Sequence, residues 1–502
     1  MNDFIFTYKK LGLKPTLLLT LTFFYVSFIG IYFHELWMDE SHHFLLGSDS
    51  TNFLDLFKNT RYDGHPILWN YLIHLISLFD KNPFYMQLLH IIISSLTVFV
   101  FLKKAPFKLW FKIAFLLSYF MLYEYTIISR NYDLGVLFMI ISCVLYSKRE
   151  THFSLLCTFL ALSCNTHSIF IIIAGAFLTS ILIVQYSQNR FWLFKKYWKG
   201  YLIFLIGLAL AFYQIIPAQD ATFFDKIDYS SIYQFAKSFM ALFKALFPIV
   251  DFTSINYWNH FYLIENFKII AVLLGCISWF IPFLLFNKNK NILFFVYLTI
   301  GGFIAFEMLT QRFGTRYNGL LFITIIIGLW MQYSEKNKPF FKINLSKYNS
   351  KIIFTLMIIQ VFSGTLAYGL DIKHTFNHGE SVASFIKKEK VNPSEIITLC
   401  ESASINAYLP CNLYNLCYQK KQGYYLWNED CDELYKKSKH ELLELAITAK
   451  NKKKKIFFIV NEPIKIDKPI TLNNKIYTLS LIKKFDGAVK HNYYIYLIQR
   501  ND

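Results

Sequence analysis

The sequence predicts a mainly α-helical, polytopic transmembrane bundle carrying a small α/β domain at its C-terminal end. Apolar runs close to 20 residues long recur through positions 1–370, each enough to cross a hydrocarbon layer of ~30 Å. The composition agrees: 55% of the 502 residues are hydrophobic and 19% aromatic, with 53 Phe and 34 Tyr. From Asp371 the pattern changes, as Lys, Asn and Glu rise and short β-like runs replace the long apolar ones.

The first element is an uncleaved anchor. Lys9, Lys10 and Lys14 precede an apolar run from Thr16 to Phe33. The run is followed by His34-Glu35-Leu36-Trp37 instead of the small residues a signal peptidase needs. In all, spans are predicted at 16–34, 84–102, 108–127, 132–147, 152–164, 166–184, 199–217, 265–286, 291–309, 317–333 and 352–370. The run at 66–79 is different. As a helix it would reach only about 21 Å, too short for a comfortable span.

Parity decides how 66–79 is read. If it does not cross, then Lys103, Lys104, Lys108, Lys112, Lys148, Arg149, Lys195, Lys196, Lys288, Lys290 and the basic stretch 336–351 lie inside with the N-terminus. The positive-inside rule favours that arrangement. The segment 66–79 is therefore expected as an outer-surface helix within a first outer loop at 35–83. Eleven spans follow, N-terminus inside and C-terminus outside, with the boundary between membrane and soluble parts at 370/371. The loop 218–264 is outer as well. Its 232–249 stretch mixes Lys with Phe, Leu and Met, as an interfacial helix does.

In the C-terminal part, strands are predicted at 396–399, 455–460 and 493–498, and a helix at 432–450. Four cysteines (Cys143, Cys157, Cys164 and Cys276) fall in apolar spans and read as packing residues. Cys400, Cys411, Cys417 and Cys431 fall in the C-terminal part, where an outer location allows two disulfides in any of three connectivities.

The net charge of +18 does not point to nucleic acid, because the basic residues sit between spans and in the C-terminal part without a binding motif. Topology and attraction to anionic head groups account for it. Lys-, Asn- and Ile-rich usage suggests an AT-rich bacterial genome, hence a bacterial inner (plasma) membrane.

The expected topology brings chemistry-bearing residues to one face. They are His34 through His43, Asp63-Gly64-His65-Pro66, Ser129-Arg130-Asn131-Tyr132, Asn165-Thr166-His167 and Gln311 through Tyr317. Charges beside a membrane span are costly and are functional candidates by default. Asp39 and Glu40 are adjacent carboxylates where the surface meets water, and as a helix N-terminal charge pair they also have a purely structural reading. Glu35, His42, His43 and His65 could ligate a divalent ion, although their spacing is not diagnostic of zinc. Arg130, Arg312 and Arg316 can serve an anion or simply anchor spans.

The order of these motifs resembles the GT-C type membrane glycosyltransferases, including protein O-mannosyltransferases and bacterial transferases that use a polyprenyl-phosphate sugar. Asp39-Glu40 matches the family's Asp-Glu pair in the first outer loop. His65-Pro66-Ile67-Leu68 is similar to its HPPL-like motif, with Ile67 in place of the second Pro, and the 66–79 helix follows as in the family. Glu124-Tyr125 with Ser129-Arg130-Asn131-Tyr132 is similar to a Glu-Asn…Ser-Arg-Tyr pattern, with one residue inserted between Arg and Tyr. Gln87 stands where an Arg is common. The match is best over the first third of the chain.

The resemblance implies inverting transfer of a sugar from a polyprenyl-phosphate donor to a glycan, lipid or protein acceptor on the outer face. It implies Asp39 as the base, with Glu40 as a neighbour that tunes it or orients the acceptor, the reverse assignment remaining open. His65, Arg130, Tyr132, Arg312 and Arg316 would bind the phosphate or the substrate. No cofactor is required, and a divalent metal stays open. A transporter or flippase for a lipid-linked sugar, and a non-catalytic subunit of an envelope glycan assembly system, are the competing readings.

Overall fold

The structure is a computed structural model. It describes residues 2–501 except 8, 188–191, 220, 222–231, 312–313, 336–345, 400–401, 428–430, 432, 435, 451–452, 466–468 and 473. Among the described residues, seven helices are long and apolar enough to cross a membrane: Leu13–Phe33, Phe84–Lys104, Ile169–Tyr186, Lys195–Ile215, Lys268–Phe286, Lys290–Thr310 and Tyr348–Lys373. Tyr132–Tyr146 and Phe153–Cys164 are apolar but shorter. Thr315–Ser334 is almost wholly buried within the bundle.

One expected span is interrupted. The segment 108–127 forms a helix at Leu109–Leu116, breaks at Leu117–Ser118, and resumes as a π-helical turn at Tyr119–Glu124. Ser118 caps the new turn by accepting from the Met121 amide. The break matches a close approach of Gly364, where a side chain would meet the Leu117 carbonyl oxygen and the Ser118–Tyr119 backbone.

The 66–79 segment is a short helix at Leu68–Ser77, with Trp69, Asn70, Ile73, His74 and Ser77 buried and Leu78 and Phe79 exposed beyond it. The first loop adds helices at Met38–Asp49 and Phe53–Thr60. The 232–249 stretch forms two short helices, Ile232–Phe239 and Ala241–Leu246.

The two ends of the bundle differ chemically. At one end the Thr7 amide donates to Pro106 (2.9 Å), the Lys103 ammonium to Leu11 (3.3 Å), and Arg149 pairs with Glu335 at 2.8 Å. Phe6 joins these groups by packing on Phe107 and Tyr333. The opposite end carries the first loop and the C-terminal domain.

That domain is built on a seven-stranded mixed sheet. Its strands are β1 (Ile396–Thr398), β2 (Tyr414–Asn415), β3 (Lys420–Lys421), β4 (Lys455–Val460), β5 (Ile470–Leu472), β6 (Lys475–Phe485) and β7 (Tyr493–Asn501). Their order is β3-β2-β1-β4-β7-β6-β5, with β1 parallel to β2 and β4 and the other pairs antiparallel. The three predicted strands are β1, β4 and β7. The predicted helix at 432–450 is a helix at Lys439–Ala449, opened by a Ser438–Glu441 capping box. Cys417 is disulfide-bonded whereas Cys411 is a free thiol, so the two-bridge option does not hold.

One apolar cluster runs from the first loop into the sheet. Leu36, Phe44, Leu45, Trp69 and Ile73 pack with Ile397, Leu416, Leu443, Ile456 and Ile498. Polar contacts reinforce it: the Leu36 amide donates to Tyr408 Oη (3.1 Å), and Asn412 donates to Asp49 at 2.8 Å. The C-terminal domain thus holds the first loop from above.

Candidate active site

The loop following the first span folds into a helix because its first turn is acidic. Asp39 and Glu40 lie beside the unpaired amides of that N-terminus, where negative charge is favourable. Glu40 also accepts the Trp37 amide at 3.2 Å. The two acids then diverge.

The Asp39 carboxylate lies between two guanidinium groups. Arg130 Nη1 is 2.6 Å from its Oδ2, and Arg316 Nη2 is 2.9 Å from the same oxygen. Burial alone would raise the pKa of Asp39, but Arg130 and then Arg316 outweigh it and hold the carboxyl well below the usual range. The guanidiniums retain unused donors: Nε of both arginines is buried with no hydrogen-bond acceptor among the described residues. Arg316 further lies over the Trp37 ring at 5.1 Å.

Glu40 belongs to a separate buried network. Its Oε2 is 2.9 Å from His34 Nε2, and its Oε1 accepts the Ser129 amide. His34 Nδ1 is 3.0 Å from Asp371 Oδ2. Asp371 also accepts from Tyr257 at 3.0 Å and Tyr123 at 3.3 Å. Burial works against a charge on His34, but Asp371 and Glu40 outweigh it and hold its pKa well above the ordinary value. His34 is therefore a cation between two acids, and the group ties the first loop to the end of helix Ser346–Lys373. Glu35 adds to the tie by accepting the Phe376 amide at 2.7 Å.

A cleft of about 310 Å³ opens beside Asp39. Its walls are Met38, Asp39, His42, Asp63, His65, Arg130, Gly314, Arg316, Tyr317 and Trp427. Gly64 adopts a left-handed φ of 69°, which glycine tolerates without strain, and so turns Asp63 and His65 into the wall. His65 packs over His167 at 4.1 Å. Tyr132 is buried in the same aromatic group, 4.7 Å from His167 and 6.0 Å from Tyr317, and does not line the cleft.

The structure thus brings Asp39, His65, Arg130 and Arg316 to one cleft and directs Glu40 elsewhere. Arg312 lies outside the described residues. Asp63 joins the wall with no role expected from the sequence, and Trp427 reaches it from the C-terminal domain, where no local motif marks it.

Among the expected metal ligands, Glu35 accepts the Phe376 amide through Oε2 and His65 stacks on His167. The set that geometry offers is His42, His43 and Asp63, with ligand atoms within 4.8 Å of one another. Burial pushes the His43 pKa down to about 3, so that ring is neutral, and its Nδ1 is 2.6 Å from Asn70 Oδ1. His42 Nδ1, however, accepts the Tyr425 amide at 3.0 Å. Its Nε2 is 3.5 Å from Asp63 Oδ1. His42 Nε2, His43 Nε2 and Asp63 Oδ2 are buried with no hydrogen-bond partner among the described residues, so the cluster keeps donor atoms that a divalent cation could use.

No protein-family model and no curated relative matches the chain. Among solved structures it is similar to the crystal structure of ArnT from Cupriavidus metallidurans bound to undecaprenyl phosphate. The two share 10% sequence identity over 96% of this chain and 98% of that one, with a TM-score of 0.48. The assignment of chemistry to the cleft rests on its own residues.

Proposed function

We propose that the chain is a membrane glycosyltransferase that moves a sugar from a polyprenyl-phosphate donor to an acceptor hydroxyl at the extracytoplasmic face. One observation carries the reading: a carboxylate, Asp39, held by two arginines that keep unused donors, at the wall of a cleft facing the soluble domain. Arginine pairs with spare donors suit a phosphate. A carboxylate beside them suits removal of a hydroxyl proton.

The balanced step is a displacement. The acceptor oxygen forms a bond to the anomeric carbon as the bond from that carbon to the phosphate oxygen breaks. The hydroxyl proton passes to Asp39, and the electron pair leaves with the lipid phosphate, whose charge Arg130 and Arg316 stabilise. Attack opposite the leaving group inverts the anomeric centre.

Tied to two guanidiniums, Asp39 is a weak base. A bound donor phosphate competes for those arginines and releases the carboxylate, so basicity rises only when donor is present. Glu40, committed to His34 and the Ser129 amide, is a positioning residue. The step as written draws on none of His42, His43 and Asp63, and the transfer is expected to survive chelators. The orientation that follows from the basic end is N-terminus inside, with the site and C-terminal domain outside.

The test is transfer to acceptor by purified Asp39→Asn protein supplied with polyprenyl-phosphate sugar. Loss of roughly a hundredfold to ten-thousandfold in kcat, in protein that still elutes as wild type, is the expected result; the melting temperature should fall, because Arg130 and Arg316 lose their counter-charge. Full activity in the folded variant would sink the assignment. Glu40→Gln is expected to lower the melting temperature first.

A further inference from the structure

A second cavity, of about 600 Å³, lies at the basic end of the bundle, away from the cleft. It forms where the N-terminal segment crosses the turn between helices Phe84–Lys104 and Leu109–Leu116. Phe6 and Phe107 make an antiparallel bridge there. The Thr7 amide donates to the Pro106 carbonyl at 2.9 Å and the Lys108 amide to the Ile5 carbonyl at 2.8 Å. The Trp110 indole N–H donates to the Phe4 carbonyl at 3.2 Å. These bonds make the cavity part of the fold, with its walls held against each other.

Lys9, Lys10, Lys108 and Lys112 line this cavity, and among the described residues no Asp or Glu does. Lys112 is buried, and its ammonium donates to the Leu102 carbonyl at 2.6 Å, which leaves it further donors. Two helices also begin at the cavity. Leu13–Phe33 starts after Gly12 and Leu109–Leu116 after Lys108, and neither has a side-chain cap or an acid in its first turn. The positive ends of both helices add to the potential of the lysines. The setting is apolar as well as basic. Phe107 and Trp110 are in the wall, Leu13 and Leu109 stand exposed beside it, and Leu17 is exposed one turn beyond Leu13.

We propose that this cavity binds the phosphate headgroup of an anionic phospholipid, with the acyl chains laid along Leu13, Leu17 and Leu109. The inference stands apart from the transferase reading. A cluster of cations without a carboxylate attracts a phosphate, and the exposed leucines beside it suit a phosphate that carries chains. A free phosphate would use the lysines and leave those leucines uncovered. In the orientation proposed above, the lipid belongs to the cytoplasmic leaflet. The competing role is topology alone, with the lysines holding this end inside and Lys112 closing the end of helix Phe84–Lys104.

The experiment is native mass spectrometry of the full-length protein in nonionic detergent. It is titrated with phosphatidylglycerol or with phosphatidylcholine of the same chains, and inorganic phosphate is added as a competitor. Wild type is compared with Lys9→Gln/Lys10→Gln and with Lys148→Gln/Lys288→Gln, which removes equal charge outside the cavity. Elution profile and melting temperature are the fold controls. Wild type should hold phosphatidylglycerol more tightly than phosphatidylcholine. Lys9→Gln/Lys10→Gln should weaken phosphatidylglycerol by about tenfold or more and leave phosphatidylcholine unaffected. Lys148→Gln/Lys288→Gln should bind both lipids as wild type does.

Wild type that binds the two lipids equally overturns the proposal. So does Lys9→Gln/Lys10→Gln that binds phosphatidylglycerol like wild type, or equal weakening by both pairs of substitutions, which would mean diffuse charge and no site. Inorganic phosphate that displaces phosphatidylglycerol at equal concentration would overturn the lipid as the source of the phosphate. Lys10→Gln alone decides the matter if the double variant does not fold. None of these outcomes touches the assignment of Asp39.

Discussion

Asp39 and His34 sit within one short stretch of chain, yet each is charged for a different reason and each gives its own pH signature. Asp39 is held low by Arg130 and Arg316. In free enzyme it stays ionised below the usual carboxylate range, so kcat/KM should remain flat as pH falls through 5 to 4 (roughly the unperturbed carboxylate region). Once donor has drawn the arginines away, the acid limb of kcat should lie at higher pH than that of kcat/KM. Arg316→Gln should move the kcat/KM limb upward toward the ordinary value. Identical limbs for both parameters in wild type would refute the exchange of arginines from carboxylate to phosphate.

His34 works with the opposite sign. Its folded pKa is raised above the ordinary value of 6.5. The stability it contributes is complete below that value and is lost as pH rises through the folded pKa. The melting temperature of wild type should therefore decline in this window above neutrality. His34→Gln should be less stable by about 3 kcal/mol at low pH, since it strands two buried acids, and should lack that part of the slope. Melting curves against pH for the two proteins check it; parallel curves would exclude His34 as the charged link.

Helices and strands show how much could be read in advance, and where reading failed. The long apolar runs and the strands at 396–398, 455–460 and 493–501 were legible because each has a strong local period and little else to satisfy. The short helix at Leu68–Ser77 was legible as a non-crossing segment from its length together with the placement of the basic loops. The break at Leu117–Ser118 was not, because no Pro or Gly in that segment marks it. Its counterpart is Gly364 on a distant helix, which leaves room for the Leu117–Tyr119 backbone and is visible only once the helices are packed. The same limit hid the path of Glu40: adjacent acids look equivalent in a sequence, and only the tertiary placement of His34 and Ser129 separates them. Asp63 was quoted but not chosen for want of its histidine neighbours.

The break gives its own expectation. A methyl group at Gly364 would stand 2.4 Å from the Leu117 carbonyl oxygen and 2.8 Å from Tyr119 N, atoms of the backbone that cannot swing aside. Gly364→Ala should therefore destabilise by about 1–3 kcal/mol, the usual range for overpacking. Gly369, where an added Cβ meets nothing within 4 Å, is the control. Thermal unfolding in detergent should separate the two variants. Equal melting temperatures would mean that the close approach does not impose the break.

Across the whole chain, the placement of charge and the placement of chemistry are the same fact seen from two ends. One end of the bundle gathers Lys103, Arg149 and the N-terminal lysines, and its contacts join Phe6 to Phe107 and Tyr333. The other holds Asp39, His34 and Asp371, with the sheet domain packed over them. Lysine and arginine are favoured on the cytoplasmic side of a membrane, so the orientation proposed above puts the basic end inside and the cleft outside. The domain is then free to take up a disulfide at Cys417, which an outer, oxidising location permits. Epitope tags inserted in the 148–151 turn and placed after residue 502 of the full-length chain test this directly. Antibody applied to intact spheroplasts should reach the C-terminal tag and reach the 148–151 tag only after the membrane is opened. A C-terminal tag that stays hidden would put the cleft on the side of cytoplasmic substrates. Asp39 and its arginines would then have to serve an acceptor and donor from that compartment.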